Sequence, residues 1–489
     1  IVFGDWSSDV CSSDLEDSKK LARAIAAIQD AAQEGPHDVP PFVATDQEGG
    51  WVRHVKGGTS ITPGNMAIGA SGWISDAYTS ALYIGRELSA LGITMNFAPT
   101  VDLATRPDST IIGSRAFSSD PVDTAILAAA WTRGMADSGV AATAKHFPGH
   151  GDTALDSHGV LPVISVDEDV LWRRELVPYK LLVAEGVPGI MSGHLAFPAI
   201  TGSNEPASLS PRMIQGLLRG RMDFDGLVIT DDLMMSGAAS PGGLAETCVR
   251  AIRAGNDILM FSRTLGMNDA EWRTLLSLYR KDPELRARVD ESALRVLRAK
   301  LTWLLPRGPQ GIRPISTPEE AFRPPQSRAF FEEQALRSAT LLAPPSKDGR
   351  EAFSLPASYG SRLLVAGQFG DFFSEAAKAF PGAPSFRFSY LPGERASASE
   401  LSSFRARLSS VDAVLVCVAN PASAEFAREA LKAGKELYVL SVLSPVFATE
   451  FARQSTVVAV YSYALESFKA AFSVLNAANE AQGRLPLKD

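Results

Sequence analysis

The chain has 489 residues, 45% hydrophobic and 21% charged, a globular composition with room for two or three domains at roughly 100–200 residues each. With a net charge of -8 nothing basic enough for nucleic acid stands out, and no run approaches the ~18 consecutive apolar residues of a membrane span. The three cysteines stand far apart without metal-ligand spacing, which argues against a disulfide framework.

The first residues form no recognisable element. DWSSDVCSSDL (residues 5–15) has neither helical nor alternating period, and read as nucleotides it fits a common short-read sequencing adapter codon for codon. Residues 1–15 are therefore expected to be a non-native scar, set aside from fold reasoning, with native chain beginning near Glu16 and the compartment left open. Without Asp5, Asp9 and Asp14 the chain has 47 basic against 52 acidic residues, a net -5, and without Cys11 its cysteines are Cys248 and Cys417.

From residue 16 to about 305, short apolar runs ending in polar residues alternate with stretches of helical period. The expected strands are PFVATD (41–46), NFAPTVD (96–102), AATAKH (141–146), GIMSGH (189–194), GLVITDD (226–232) and DILMF (257–261). Helices are expected between them, over 76–92, 167–186 and 244–255 among others. Units of this length without a dinucleotide fingerprint favour a (β/α)8 barrel of TIM type over a doubly wound sheet. Six strands are legible where eight would close the barrel, so the first is expected to be missing and to leave an open edge. A Pro-rich stretch, 306–330, reads as a linker to a C-terminal αβα sandwich over 331–489, where RLLVAG, DAVLVCVAN, ELYVLSVL and VVAVYSY alternate with helices such as 421–434. That second domain has no histidine and no glycine-rich phosphate loop, which makes it a secondary contributor to chemistry.

In a barrel of this type chemistry gathers at the carboxyl ends of the strands, where Asp46, Asp102, Lys145, His146, His194 and Asp231 fall. The densest piece is KHFPGHGDTALDSHG (145–159), three histidines and two aspartates in a loop composition. Three readings compete for it. Its His146, His150, Asp152, Asp156 and His158 are competent metal ligands, though no helical His pair or Cys pair supports a metal site. The side chains could instead only cap loop backbone. The favoured reading is acid/base chemistry, with Asp156 orienting and charging His158, an imidazole able to give and take a proton near neutral pH. In GLVITDDLMMSGA one of Asp231 and Asp232 should face the barrel mouth; a capping role for Asp232 makes Asp231 the inward one. A carboxylate nucleophile beside a proton donor is the arrangement of a retaining glycosidase.

KHFPGHGDTALDSH, VITDDLMMSGA, DQEGG, IIGSRAFSSDP and the terminal GRLPL together resemble family 3 glycoside hydrolases of the β-N-acetylglucosaminidase subgroup, from about residue 20 to the end. The resemblance implies a (β/α)8 barrel bearing the site, an αβα sandwich after it, and no metal or other cofactor. It implies Asp231 as nucleophile and His158, paired to Asp156, as acid/base. It also implies that Asp46, Arg115, Lys145 and His146 hold hydroxyls of the terminal sugar, where charged hydrogen bonds discriminate strongly. For Arg115 and Lys145 the plain alternatives are a surface ion pair and a solvated loop charge; Asp102 and His194 either line the pocket or are buried and hydrogen-bonded inside the barrel. Where the family pattern has arginines, DQEGGWVRH has Trp51 and His54, with Arg53 one residue early. Arg53 and His54 are retained as substrate-contact candidates, and the departure bears on the preferred sugar more than on the reaction. The function implied is exo-hydrolysis of β-linked N-acetylglucosamine from cell-wall fragments or chito-oligosaccharides. The alternatives are a phosphorylase or other β-glycosidase of the same family, or a carbohydrate-binding protein without activity. A small carbohydrate is the expected partner, and the oligomeric state is not legible.

Overall fold

The computed structural model of the protein describes residues 2–3, 16–35, 39–106, 109, 111–342, 355–391 and 395–488. Residues 5–15, expected to be non-native, lie outside them. Seven parallel strands form the first sheet in the order β1 (Val2–Phe3), β2 (Ala44–Thr45), β5 (Met95–Asn96), β6 (Ala141–Phe147), β7 (Gly189–Ser192), β8 (Leu227–Asp232) and β9 (Ile258–Met260). A strand lies at or beside each of the six expected stretches, but the one expected over 96–102 is Met95–Asn96, shorter and displaced toward the N-terminus, with only an isolated bridge at Thr100 beyond it. Ahead of them, the edge expected to be open beside Ala44–Thr45 is paired by Val2–Phe3, inside the segment assigned to the scar. A two-residue strand is too short to show any period, so sequence reading had no signal for it.

β6 reads AATAKHF and is buried at every residue, as a parallel strand covered on both faces must be. Ala141 packs with Phe42, Met95 and Phe97 on one side, and Ala142 and Ala144 face helices on the other. The helix Pro121–Asp137 begins at Asp120, whose carboxylate accepts from the backbone N–H of Val122 and Asp123, with proline at the first turn where no donor is needed. It packs with Ile74–Ala90 to bury Ile84, Leu88, Trp131 and Met135 in one core with Ala142, Ala144 and Ile190 of the sheet. The single helix expected over 167–186 is two, Glu168–Arg173 and Leu176–Ala184, interrupted at Arg174, which leaves helical geometry.

The second sheet has six strands in the order β10 (Thr340–Leu342), β15 (Thr456–Ala459), β14 (Glu436–Ser441), β13 (Ala413–Val418), β11 (Leu363–Gly367) and β12 (Ser385–Arg387), parallel except for β10. Alternate residues face opposite ways. Val365, Leu415 and Leu440 pack with Phe372, Phe468 and Phe472 on one face, whereas Leu364, Val414 and Val439 pack with Phe404, Phe426 and Phe451 on the other. Helices on both faces make this the αβα sandwich. The stretch read as a linker is folded: Leu305–Arg307, Gly308–Gly311 and Pro318–Ala321 are short helical turns, and Pro325–Ser338 is a helix starting within it. Arg313 reaches Asp30 at 2.5 Å and the Arg323 N–H donates to Glu87, so these residues lie along the barrel.

Candidate active site

Beyond β2 the chain turns into a small hairpin, β3 (Gln47–Gly49) and β4 (Val52–Arg53). It is braced by paired amides: the Gln47 N–H donates to Asn96 Oδ1 while Asn96 Nδ2 donates to the Gln47 carbonyl, each at 2.9 Å, and the Gln47 side chain bonds Val55 twice at 3.1 Å. This holds Asp46 and Glu48, two residues apart and therefore on one side of an extended chain, against the end of β6. Lys145 bridges them, bonded to Asp46 Oδ1 and lying 2.7 Å from Glu48 Oε1. Arg115, from the turn Gly113–Arg115, grips Glu48 with two prongs at 2.7 and 2.9 Å and donates to the Ile111 carbonyl.

Charge in this cluster is settled by its own members. Burial would raise the Glu48 carboxyl, but Arg115 and Lys145 outweigh it and hold the group far below the carboxylate range. Burial would likewise lower Lys145, and Asp46 and Glu48 more than restore it against the repulsion of Arg115. Arg115 is drawn up against the same burial, chiefly by Glu48. Glu48 thus carries more of the site than its place in DQEGG suggested, and the two-residue spacing from Asp46 was the available signal.

His146 sits next to Lys145, across a cis peptide. Asp102 takes its backbone N–H, its Nδ1 at 2.6 Å and the backbone N–H of His150 at 2.6 Å. Asp102 is completely enclosed; burial would raise its pKa, and His146 is the first of the neighbours that hold it down. His194 is buried too, Nε2 on the Asp232 carbonyl at 2.9 Å and Nδ1 on Ser208 Oγ at 2.7 Å. Of the two readings open for Asp102 and His194, both side chains take the buried, hydrogen-bonded one.

Asp231 and Asp232 close β8 and differ as strand alternation requires. The Asp232 carboxylate is buried and accepts the backbone N–H of Met234 and Ser262, a structural role in the turns rather than a helix cap. Asp231 is the half-exposed member. Burial would raise it, but His146, His194, the Asp232 N–H and Lys145 together hold its carboxyl below the usual value. The loop bearing the other candidate pair is tied to the turn after β8. The Gly237 N–H donates to the Ser157 carbonyl at 3.0 Å and the Ser236 N–H to the His158 carbonyl at 3.4 Å. A Cβ on Gly237 would lie 2.9 Å from the Ser157 oxygen and 3.0 Å from His194 Cβ, so this approach requires glycine. In that loop Asp156 accepts both Nδ1 and the backbone N–H of His158, at 2.5 and 3.0 Å; burial raises Asp156 less than His158 lowers it.

The remaining candidates are placed as follows. His54 Nδ1 stands 3.9 Å from Asp46 Oδ2. Arg53 turns to the carbonyls of Lys56 and Thr59, at 3.0 and 3.2 Å, and not to the Asp46–Lys145 cluster. Trp51 is 39% exposed at the hairpin tip. Among the described residues no group of three or more His, Cys, Asp or Glu is placed to hold a metal ion.

Residues 3–299 match the family described as Glycosyl hydrolase family 3 N terminal domain. The chain belongs to glycosyl hydrolase family 3. Beta-hexosaminidase A of Pseudoalteromonas piscicida is 35% identical over 265 residues, covering 51% of this chain and 44% of that protein. Beta-hexosaminidase of Methylococcus capsulatus is 38% identical over 226 residues, 46% of this chain and 67% of that one. The chain therefore spans less than half of the first relative's length. A solved family 3 β-N-acetylglucosaminidase from Paenibacillus sp. superposes with a TM-score of 0.86 at 30% identity, over 97% of this chain and 91% of that one. Membership in family 3 and the barrel-plus-sandwich architecture agree with the reading of the sequence motifs. No helix among the described residues is long and apolar enough to cross a membrane.

Proposed function

We propose that the protein is an exo-acting, retaining β-N-acetylglucosaminidase that releases terminal N-acetylglucosamine from cell-wall fragments or chito-oligosaccharides. The observation that supports this reading is the pair of backbone hydrogen bonds from Gly237 and Ser236 to Ser157 and His158, which tie the loop of the aspartate–histidine pair to the turn following the strand that bears Asp231. Asp231, kept ionised by the positive groups around it, attacks the anomeric carbon while His158 protonates the leaving oxygen; His158 then takes a proton from water as the sugar is released. Asp156 holds the His158 proton on Nδ1, so that Nε2 does the transfer. Asp46, Arg115, Lys145 and His146 are assigned to the sugar hydroxyls. They are polar, largely buried and held by one another and by Glu48 and Asp102, so a sugar lacking a hydroxyl would leave buried groups unpaired. His54, beside Asp46, belongs with them, while Arg53 acts at most through the hairpin it braces.

Support also comes from the names of the relatives and from the superposed N-acetylglucosaminidase. The test is release of p-nitrophenol from the β-N-acetylglucosaminide and the β-glucoside, each with and without phosphate. Preferential turnover of the acetamido sugar without phosphate is expected. A strict phosphate requirement would make the protein a phosphorylase, and binding of the sugar without turnover by either substrate would make it a binding protein.

A further inference from the structure

Every residue placed at the site so far comes from the barrel, and the second domain carries no histidine. It nonetheless reaches the hairpin that presents Asp46 and Glu48. The link is the short stretch from residue 59 to residue 64, which runs from that hairpin to the helix Asn65–Ser71. Ser462, wholly buried, donates from Oγ to the Thr62 carbonyl at 3.1 Å, a bond between residues 400 apart in the chain. Thr62 is buried as well, and its Oγ1 accepts the Gly50 N–H at 3.0 Å. Two hydrogen bonds therefore connect the second domain to the tip of the hairpin.

The tip is seated closely. A Cβ on Gly49 would lie 2.7 Å from Thr62 Oγ1, and one on Gly50 would lie 3.3 Å from the Gly64 Cα; φ is positive at both, so a side chain at either would push the tip off its seat. Asn65, 3% exposed, follows the stretch directly and donates from Nδ2 to the Arg115 carbonyl at 2.9 Å. Both partners of the Glu48–Arg115 pair are thus held from the same place, the hairpin through Thr62 and the arginine backbone through Asn65.

The stretch is itself fixed from two sides. Ser60 bonds Glu87 of the barrel helix Ile74–Ala90 with its N–H and its Oγ, at 2.9 and 2.7 Å. On the other side Met66, Ala67 and Ala70 pack against Ala459 and Tyr461 of the second domain, and the Ala70 carbonyl accepts the Arg484 N–H at 2.9 Å. Side chains that read hydroxyls work only within about 0.5 Å of their productive places, which the residues supporting them must enforce. Here the stretch supports the hairpin, and the second domain supports the stretch.

We propose that Thr62 is a positioning residue that couples the second domain to the sugar cluster. Ser462 holds the Thr62 backbone, the Thr62 hydroxyl holds Gly50, and the hairpin tipped by Gly50 keeps Asp46 and Glu48 against Lys145 and Arg115. The second domain thereby takes part in binding without touching the substrate. The inference rests on the assignment of Asp46, Arg115, Lys145 and His146 to the sugar hydroxyls.

The test uses the full chain and p-nitrophenyl β-N-acetylglucosaminide. Thr62→Val keeps the outline of the side chain and removes the acceptor; it is expected to raise KM about tenfold with kcat within about twofold of wild type, since a binding contact is misplaced rather than a reacting group. Ser462→Ala should raise KM about threefold. The double variant should be no worse than Thr62→Val alone, because Ser462 acts on the hairpin through Thr62. Thr62→Ser, which keeps the hydroxyl, should leave KM near wild type. A plain tie between domains predicts a lower melting temperature with unchanged KM, or effects of the two substitutions that simply add, and either result overturns the inference. Should Thr62→Val fail to fold, Ser462→Ala is judged on KM alone. Asp46→Ala tests the underlying reading: if it leaves kcat/KM intact, the hairpin does not bind the sugar and that reading falls, whereas a large loss there beside an unchanged Thr62→Val removes only the coupling.

Discussion

The two aspartate–histidine pairs are chemically alike and physically opposite. Asp156 and His158 are two residues apart in one loop, with side chains 41% and 33% exposed; Asp102 and His146 are 44 residues apart, on segments following different strands, and 0% and 10% exposed. An exposed pair can rotate and meet water, which suits a group that delivers and recovers a proton. In a dry pair the carboxylate and the ring interact through a medium that screens poorly, which suits a pair whose geometry is to stay fixed. What separates them is the surroundings: a Gly- and Pro-rich loop held by two backbone bonds in one case, the packed end of a parallel sheet in the other.

The sharpest cut through this comparison is at Asp231, the assigned nucleophile. Asp231→Ala should lower kcat by at least ~10⁴-fold with little change in melting temperature, since the nucleophile is lost whichever pair is intact. Near wild-type turnover would undo the assignment of Asp231. Next in size is the exposed pair. His158→Ala should cost about 10²–10⁴-fold on substrates with poor leaving groups and far less on dinitrophenyl sugars, which need no acid. The same loss on both kinds of substrate would mean that His158 does not protonate the leaving oxygen.

Glu48→Gln probes the dry side. It leaves Arg115 and Lys145 sharing one fewer buried anion, and breaking a buried ion pair typically destabilises by about 3–5 kcal/mol. Urea unfolding and the KM for the sugar should both respond, whereas a change in KM alone would show that the cluster is not a structural unit. The smallest expected effect is at His150, buried beside Asp102, His146 and Arg115 with Asp156 beyond, and with both ring nitrogens unpartnered among the described residues. Burial pushes its pKa down to about 4. Folded, it stays neutral to that pH, while in the unfolded chain an imidazole protonates near ~6.5. Between those values the unfolded state binds the extra proton, so stability falls as pH falls, by an amount on the order of 3 kcal/mol. His150→Gln should flatten unfolding free energy against pH across that window, and an unchanged slope would show that His150 does not titrate with folding.

Much of this site could be read from residue order. Asp231 and Asp232 follow four apolar strand residues, and alternation alone separates an outward carboxylate from an inward one. Asp156 and His158 lie close enough in sequence to meet without any fold. Glu48 escaped notice because its partners, Arg115 and Lys145, are 67 and 97 residues away; the two-residue spacing from Asp46 puts it on the same side of the chain but does not tell a carboxylate gripped by two cations from a solvated one. Asp102 and His194 could only be left open for the same reason: at a strand end, facing the pocket and facing the core are one residue of rotation apart. The hairpin in DQEGGWVRH and the strand Val2–Phe3 were missed because elements of two or three residues show no period.

By itself the sequence determined the alternation of strands and helices, the two sheets, the family and the local Asp156–His158 pair, since all of these depend on periodicity or on neighbours along the chain. Only the tertiary structure decided which charges are dry. It joined Asp46, Glu48, Arg115 and Lys145 into one cluster, and gave Asp102 to His146. Burial and ion pairing are properties of what lies across space, and residues far apart in the chain acquire them only when the strands come together.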